Sequence, residues 1–115
     1  MSDFPRGWTL TAFGGNGAAC VITAPAITGV VHVLDGFSAK SGGSAAQSPT
    51  ITLSSSDGVF SSLILAVVDV LAGSFDTASE SGLDLAAGPG AALTIEFSSN
   101  TAGDFEMLVA QGHDI

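Results

Sequence analysis

The chain has almost no positive charge. Of 115 residues only Arg6 and Lys40 are basic, against eleven Asp and Glu, for a formal net charge of −9. So negative a chain repels phosphate backbones and anionic headgroups, which argues against nucleic acid and membrane as partners. Cysteine is nearly absent too: Cys20 alone permits neither an intrachain disulfide nor a cysteine-rich metal site. The longest apolar run, residues 63–71, is broken by Asp69 and falls far below the ~20 residues that span a bilayer. Tyrosine is missing and tryptophan occurs once, at Trp8. Charged residues make up 11% of the chain, where ~25% is usual. With a mean hydropathy of +0.53, such a surface is expected to be partly covered by other chains, because interface cores are depleted in charge. The opening Met-Ser-Asp-Phe-Pro-Arg-Gly-Trp has neither the basic start nor the apolar core of a signal peptide. Folding in a cytoplasm is therefore expected, with Cys20 as a small buried hydrophobe.

What the chain does contain is a series of short β-type runs set off by Gly, Ser, Asn, Asp and Pro clusters. Residues 1–7 read as an N-terminal arm, and 8–115 as one domain. Residues 8–13 alternate Trp8, Leu10 and Ala12 against Thr9, Thr11 and Phe13. Gly14-Gly15-Asn16-Gly17 reads as a hairpin turn into a strand over 19–23. Residues 30–39 form the clearest strand, with Val31, Val33, Asp35, Phe37 and Ala39 expected on one face. Val30, His32, Leu34, Gly36 and Ser38 are expected on the other. Gly36 in mid-strand suggests a bulge or a close backbone approach. Residues 40–48 are loop-like in composition, 50–55 alternate, and Asp57-Gly58 is a hairpin turn. Residues 59–71 fit a buried strand or a short helix by periodicity, and their β-branched content favours strand. Residues 77–90 read as loop-rich, and strands follow over 91–98 and 105–111. Seven to nine strands with no helix between them predict an all-β antiparallel β-sandwich, jelly-roll or immunoglobulin-like.

The residues offer little chemistry. A nucleophile needs a base beside it, and no local signature joins Cys20 to His32 or His113. His32, flanked by valines, reads as a packed or interface histidine, and His113 as an exposed one near the C-terminus. Asp69 with Asp76, or Glu96 with Glu106 across a hairpin, are the carboxylate pairs a hydrolase would use. Solvated side chains are the expected reading of all four. The 14–17 glycines lack the lysine and following helix of a phosphate loop. No calcium loop is present. The expectation is a protein that is not an enzyme and binds no cofactor or metal. Phe13, Phe37, Phe60, Phe75, Phe97 and Phe105 fit core positions. Phe4, Arg6 and Trp8 are the candidate interface anchors, since aromatics and Arg dominate interface hot spots. Trp8 is also the one candidate for stacking on a sugar.

Several segments together resemble small accessory proteins of tailed-bacteriophage virions. They are Gly29-Val30-Val31-His32-Val33 continuing to Ala39, Asp57-Gly58, Gly90-Ala91-Ala92-Leu93-Thr94-Ile95-Glu96-Phe97-Ser98, and Ala102-Gly103-Asp104-Phe105 through to Gln111-Gly112-His113. In that class a Gly-x-x-His-Val segment begins a strand, an Asp-Gly turn follows, and the last strand ends near Gly-aromatic. This chain departs there, with Gly112-His113. The resemblance implies a capsid cement or decoration protein on the exterior of the virion, synthesised in the host cytoplasm. It implies a homo-oligomer, a trimer by preference, that bridges subunits of the major capsid protein against the pressure of packaged DNA. A receptor- or glycan-binding module of a phage tail or cell surface is the alternative.

Overall fold

The structure is a computed structural model that describes residues 6–15, 17–98 and 105–115. The described residues form nine strands and no helix: β1 (Arg6–Gly15), β2 (Cys20–Ala24), β3 (His32–Gly42), β4 (Thr50–Ser55), β5 (Leu63–Val67), β6 (Phe75–Glu80), β7 (Leu85–Ala86), β8 (Leu93–Phe97) and β9 (Phe105–Asp114). One sheet runs β1-β9-β3-β6, with the short β7 also paired to β3, and the other runs β2-β8-β4-β5. All pairings are antiparallel. Setting aside the two-residue β7, the remaining eight strands switch sheets at every step except from β4 to β5, the order of a double Greek key. Of the two architectures expected, this is the jelly roll.

Alternation builds the core. Ile22 on β2, Ile51 and Leu53 on β4, Leu93, Ile95 and Phe97 on β8, and Leu108 and Ala110 on β9 all point between the sheets and are buried. Each fully buried aliphatic or aromatic side chain contributes roughly 1.5–3 kcal/mol. Trp8, Leu10 and Ala12 pack on this core from β1, while the alternating Thr9, Thr11 and Phe13 face outward.

Four local readings are corrected. On β3 the register slips between Leu34 and Gly36, so Asp35 is the extra residue of a β-bulge. That extra residue reverses the parity of the strand. His32 and Leu34 before it and Phe37 and Ala39 after it therefore all face the core. Gly14 to Gly17 is not a hairpin, because β1 pairs with β9 and β2 with β8 in the opposite sheet. It is a corner between sheets. The loop expected over 40–48 begins only after Gly42, and β6 extends to Glu80 into the segment read as loop. The expected arm overlaps β1: Arg6 and Gly7 are paired with Asp114 and His113, and residues 1–5 lie outside the described residues. Asp57-Gly58 does turn the chain, with Gly58 at φ 79°. Within the segment after it only β5 is strand, and it is not the buried strand expected: Leu63, Ile64 and Val67 are exposed.

Candidate functional site

Strand β9 runs from Phe105 to Asp114 along the middle of its sheet, and polar groups collect at both of its ends. At the far end Asp114 lies opposite His32 on β3. Its Oδ1 is 2.5 Å from His32 Nδ1 and accepts from Trp8 Nε1 at 3.0 Å. His32 Nε2 is 2.7 Å from the Pro25 carbonyl. Both ring nitrogens thus face acceptors, an arrangement that suits an imidazolium donating twice. Burial pulls the His32 pKa down, but the Asp114 and Pro25 hydrogen bonds and the Asp114 charge outweigh it, and the net shift is upward. Gly112 makes the cluster possible: a Cβ there would overlap the Trp8 ring and the Val33 carbonyl. The tryptophan crosses β9 where the resemblance expects an aromatic next to the glycine, but it comes from β1.

On the outer face of the same end, His113 Nδ1 lies 2.7 Å from Asp35 Oδ2. Asp84, held at φ 52°, brings a third donor atom, and the three lie within 4.8 Å of one another. The bulge aims Asp35 here. These are described side chains that could share a metal ion, although the His113–Asp35 pair accounts for two of them unaided. His113 was expected to be exposed, and it is half-buried. No sequence spacing joins a bulge residue, a loop residue and the penultimate turn of β9.

At the near end Glu106 points between the sheets and is fully buried, with no hydrogen-bond partner for either carboxylate oxygen. It faces the buried thiol of Cys20. Burial raises the Glu106 pKa to about 7, against a smaller opposing pull from the Cys20 side chain and backbone. Burial also pushes the Cys20 thiol up to about 12, with the neighbouring Glu106 carboxyl adding to the rise. A thiol held that high is inert as a nucleophile. The expected solvated role of Glu106 is overturned, because its parity along β9 turns it inward. Glu96 is exposed on β8 in the other sheet, so the two acids do not meet across a hairpin. Asp69 accepts from the Ser48 hydroxyl at 2.7 Å, and Asp76 accepts from the Thr77 amide at 2.8 Å. Cys20 and the histidines lie at opposite ends of β9, seven residues or about 23 Å apart along an extended strand. No nucleophile–base pair results.

The outer faces are unexpectedly apolar. Phe13, Phe75 and Phe105, three of the six phenylalanines assigned to the core, point outward because each shares the parity of the solvent side of its strand. Phe13 is 68% exposed and Phe75 60%. Phe60 is half-buried, and only Phe37 and Phe97 are true core residues. The Phe75 ring lies across Gly42, where any Cβ would overlap it. It meets Phe105 edge-on at 6.3 Å, and Lys40 Nζ sits 5.3 Å from its centroid. Of the candidate anchors, Phe4 lies outside the described residues and Arg6 opens β1 opposite Asp114. Trp8 is half-buried and bonded to Asp114.

No protein-family model matches the sequence, and no curated protein matches it. Solved structures match the fold. The core of Drosophila NLP, a protein described for its pentamer formation and histone binding, has a TM-score of 0.56 at 13% identity, covering 95% of this chain and 97% of that one. An N-terminal cellulose-binding domain of a Cellulomonas fimi glucanase gives 0.43 at 10% identity, covering 96% and 78%. A chain of the cyanophage Pam1 capsid asymmetric unit gives 0.33 at 19% identity, covering 96% and 86%. The first of these likenesses agrees with what the strand pairing itself shows, an all-β sandwich of two antiparallel sheets.

Proposed function

We propose that this chain is a structural subunit of a virion shell, a protein that decorates and cements a tailed-phage capsid by bridging major capsid protein subunits. The observation that carries the reading is apolar exposure on both faces of the sandwich. Phe13 and Phe75 stand out from one sheet, and Val21, Ile64 and Leu71 from the other side of the molecule. Large apolar side chains left exposed on both faces suit a surface that is covered in use. The mechanism is mechanical: burial of these side chains between lattice subunits stabilises the expanded shell by mass action, without catalysis. Sequence resemblance to virion accessory proteins supports the same assignment. The test is to compare shells with and without the protein. Decorated shells should withstand a higher temperature, and equal heat stability would remove the proposal.

One observation favours a second reading, a glycan-binding module. The exposed Phe75 ring, braced edge-on by Phe105 on a sheet face, is the kind of surface on which a sugar ring stacks. Trp8, the earlier candidate for that role, is committed to Asp114. Saccharide-array binding that is lost in Phe75→Ala and kept in Trp8→Phe would select this reading.

A further inference from the structure

Two exposed rows of matching character lie on opposite sides of the sandwich. On the outer face of the β1-β9-β3-β6 sheet, Phe13, Met107 and Lys40 are consecutive cross-strand neighbours. Phe75 and Phe105 flank Lys40 one register step away. Lys40 is one of only two cations in the chain, so this patch is a positive, apolar spot on a strongly negative molecule. On the other side the chain continues in extended form past β5. Val68 and Val70 are buried there and bonded to Pro49 and Gln47. Val67, Asp69 and Leu71 alternate with them and point away from the core. Leu71 is 73% exposed, and the Ser48 hydroxyl orients Asp69. One row reads apolar, cation, apolar, and the other apolar, anion, apolar.

We infer that copies of this chain associate head to tail, the Lys40 patch of one copy seating on the Val67, Asp69 and Leu71 row of the next. Charge selects this occupant. Two Lys40 patches face to face would oppose like charges, and so would two Asp69 rows, so a two-fold contact through either surface is disfavoured. The head-to-tail contact pairs Lys40 with Asp69 and places aromatic rings against Val67 and Leu71. The two rows belong to different sheets, so the contact is heterologous and each seated copy leaves one row open to the next. The inference deepens the subunit reading by naming a second copy as the first partner.

The test is performed on free protein by light scattering over a concentration series, with sedimentation as a check. Wild-type mass should rise with concentration. Lys40→Asp and Asp69→Lys should each weaken association by at least about tenfold, since each sets like charges together. The double variant, with the charges exchanged, should recover most of that loss. Both positions are exposed, and circular dichroism checks that each variant folds. A wild-type monomer at every concentration, single variants with unchanged mass, or a double variant as weak as the singles overturns the inference. Shell binding is scored separately: a monomer that still binds shells loses the self-association and keeps the cement reading, and a self-associating chain that ignores shells does the reverse.

Discussion

At the end where β9 finishes, Asp114 receives both His32 and Trp8, and Pro25 takes the second His32 nitrogen. At the end where β9 begins, Glu106 is buried at least as deeply and has no hydrogen bond. The two carboxylates lie on the same face of one strand, eight residues apart, and solve the same problem differently. Asp114 is half-buried with its partners, so its polarity fastens β1, β3 and the Pro25 segment together. Glu106 meets only a thiol, so burial is tolerated by holding the proton. A neighbouring loop adds to the first end: Asp57 accepts from Ser55 and Val59 and, at 2.8 Å, from the Gly88 amide. One end is pinned by polar side chains, and the other rests on apolar packing and a neutral acid.

The harshest way to break this comparison is at Gly112. Gly112→Ala would drive a methyl into the Trp8 ring and the Val33 backbone and should cost about 3 kcal/mol in urea denaturation. Next comes Asp114→Ala, which strands the Trp8 indole and the buried His32. A loss of ~2–3 kcal/mol is expected, together with a drop of the His32 pKa measured by NMR titration. An unchanged titration would mean that Asp114 does not hold the histidine.

The opposite end should respond with the opposite sign. Glu106 has a raised pKa in the folded chain, so its contribution is complete below its ordinary range and is lost as pH rises from 4.5 to about 7. His32, also raised, loses its contribution in the same direction as pH climbs past its ordinary range. Asp57, lowered first by Ser55 and then by Val59, acts the other way, its contribution being lost as pH falls. Melting temperature should therefore peak in mild acid. Glu106→Gln should raise stability by ~1–2 kcal/mol at pH 8 and not at pH 4.5, and a uniform gain across pH would refute the ionisation account. The smallest effect concerns Cys20. Its labelling by a thiol reagent under native conditions should quicken above pH 7 by about fivefold beyond thiol ionisation, the equivalent of ~1 kcal/mol of local opening. Glu106→Gln should flatten that rise.

Fold class was legible because most strands obey a period of two and are separated by turn residues. Ile51 with Leu53 and Leu93 with Ile95 and Phe97 declare their face without help. Gly36 announced the bulge, but not which residue would be extra, and that single residue decided the facing of His32, Leu34, Phe37 and Ala39. The sites were less legible for a related reason. Alternation says that two faces exist and not which one is inside, so Phe13, Phe75 and Phe105 were placed in the core and Glu106 in solvent. His32 with Asp114, and Cys20 with Glu106, are partners separated by 82 and 86 positions, and no spacing rule reaches that far. The pairing of β9 with β3 brings the first two together, and the packing of β2 against β9 across the sandwich brings the second two.

The place of β9 also orders events in time. It follows every other described strand in sequence yet lies between β1 and β3, so a nascent chain that lacks it leaves β1 without its hydrogen-bonded neighbour. The β2-β8-β4-β5 sheet can assemble once β8 has emerged, whereas the sheet that carries Lys40 and its phenylalanines must wait for β9. Pairings this distant in sequence make folding slow. They also mean that the sticky face is completed after the opposite sheet, and a subunit without β9 has no finished surface with which to capture its neighbours.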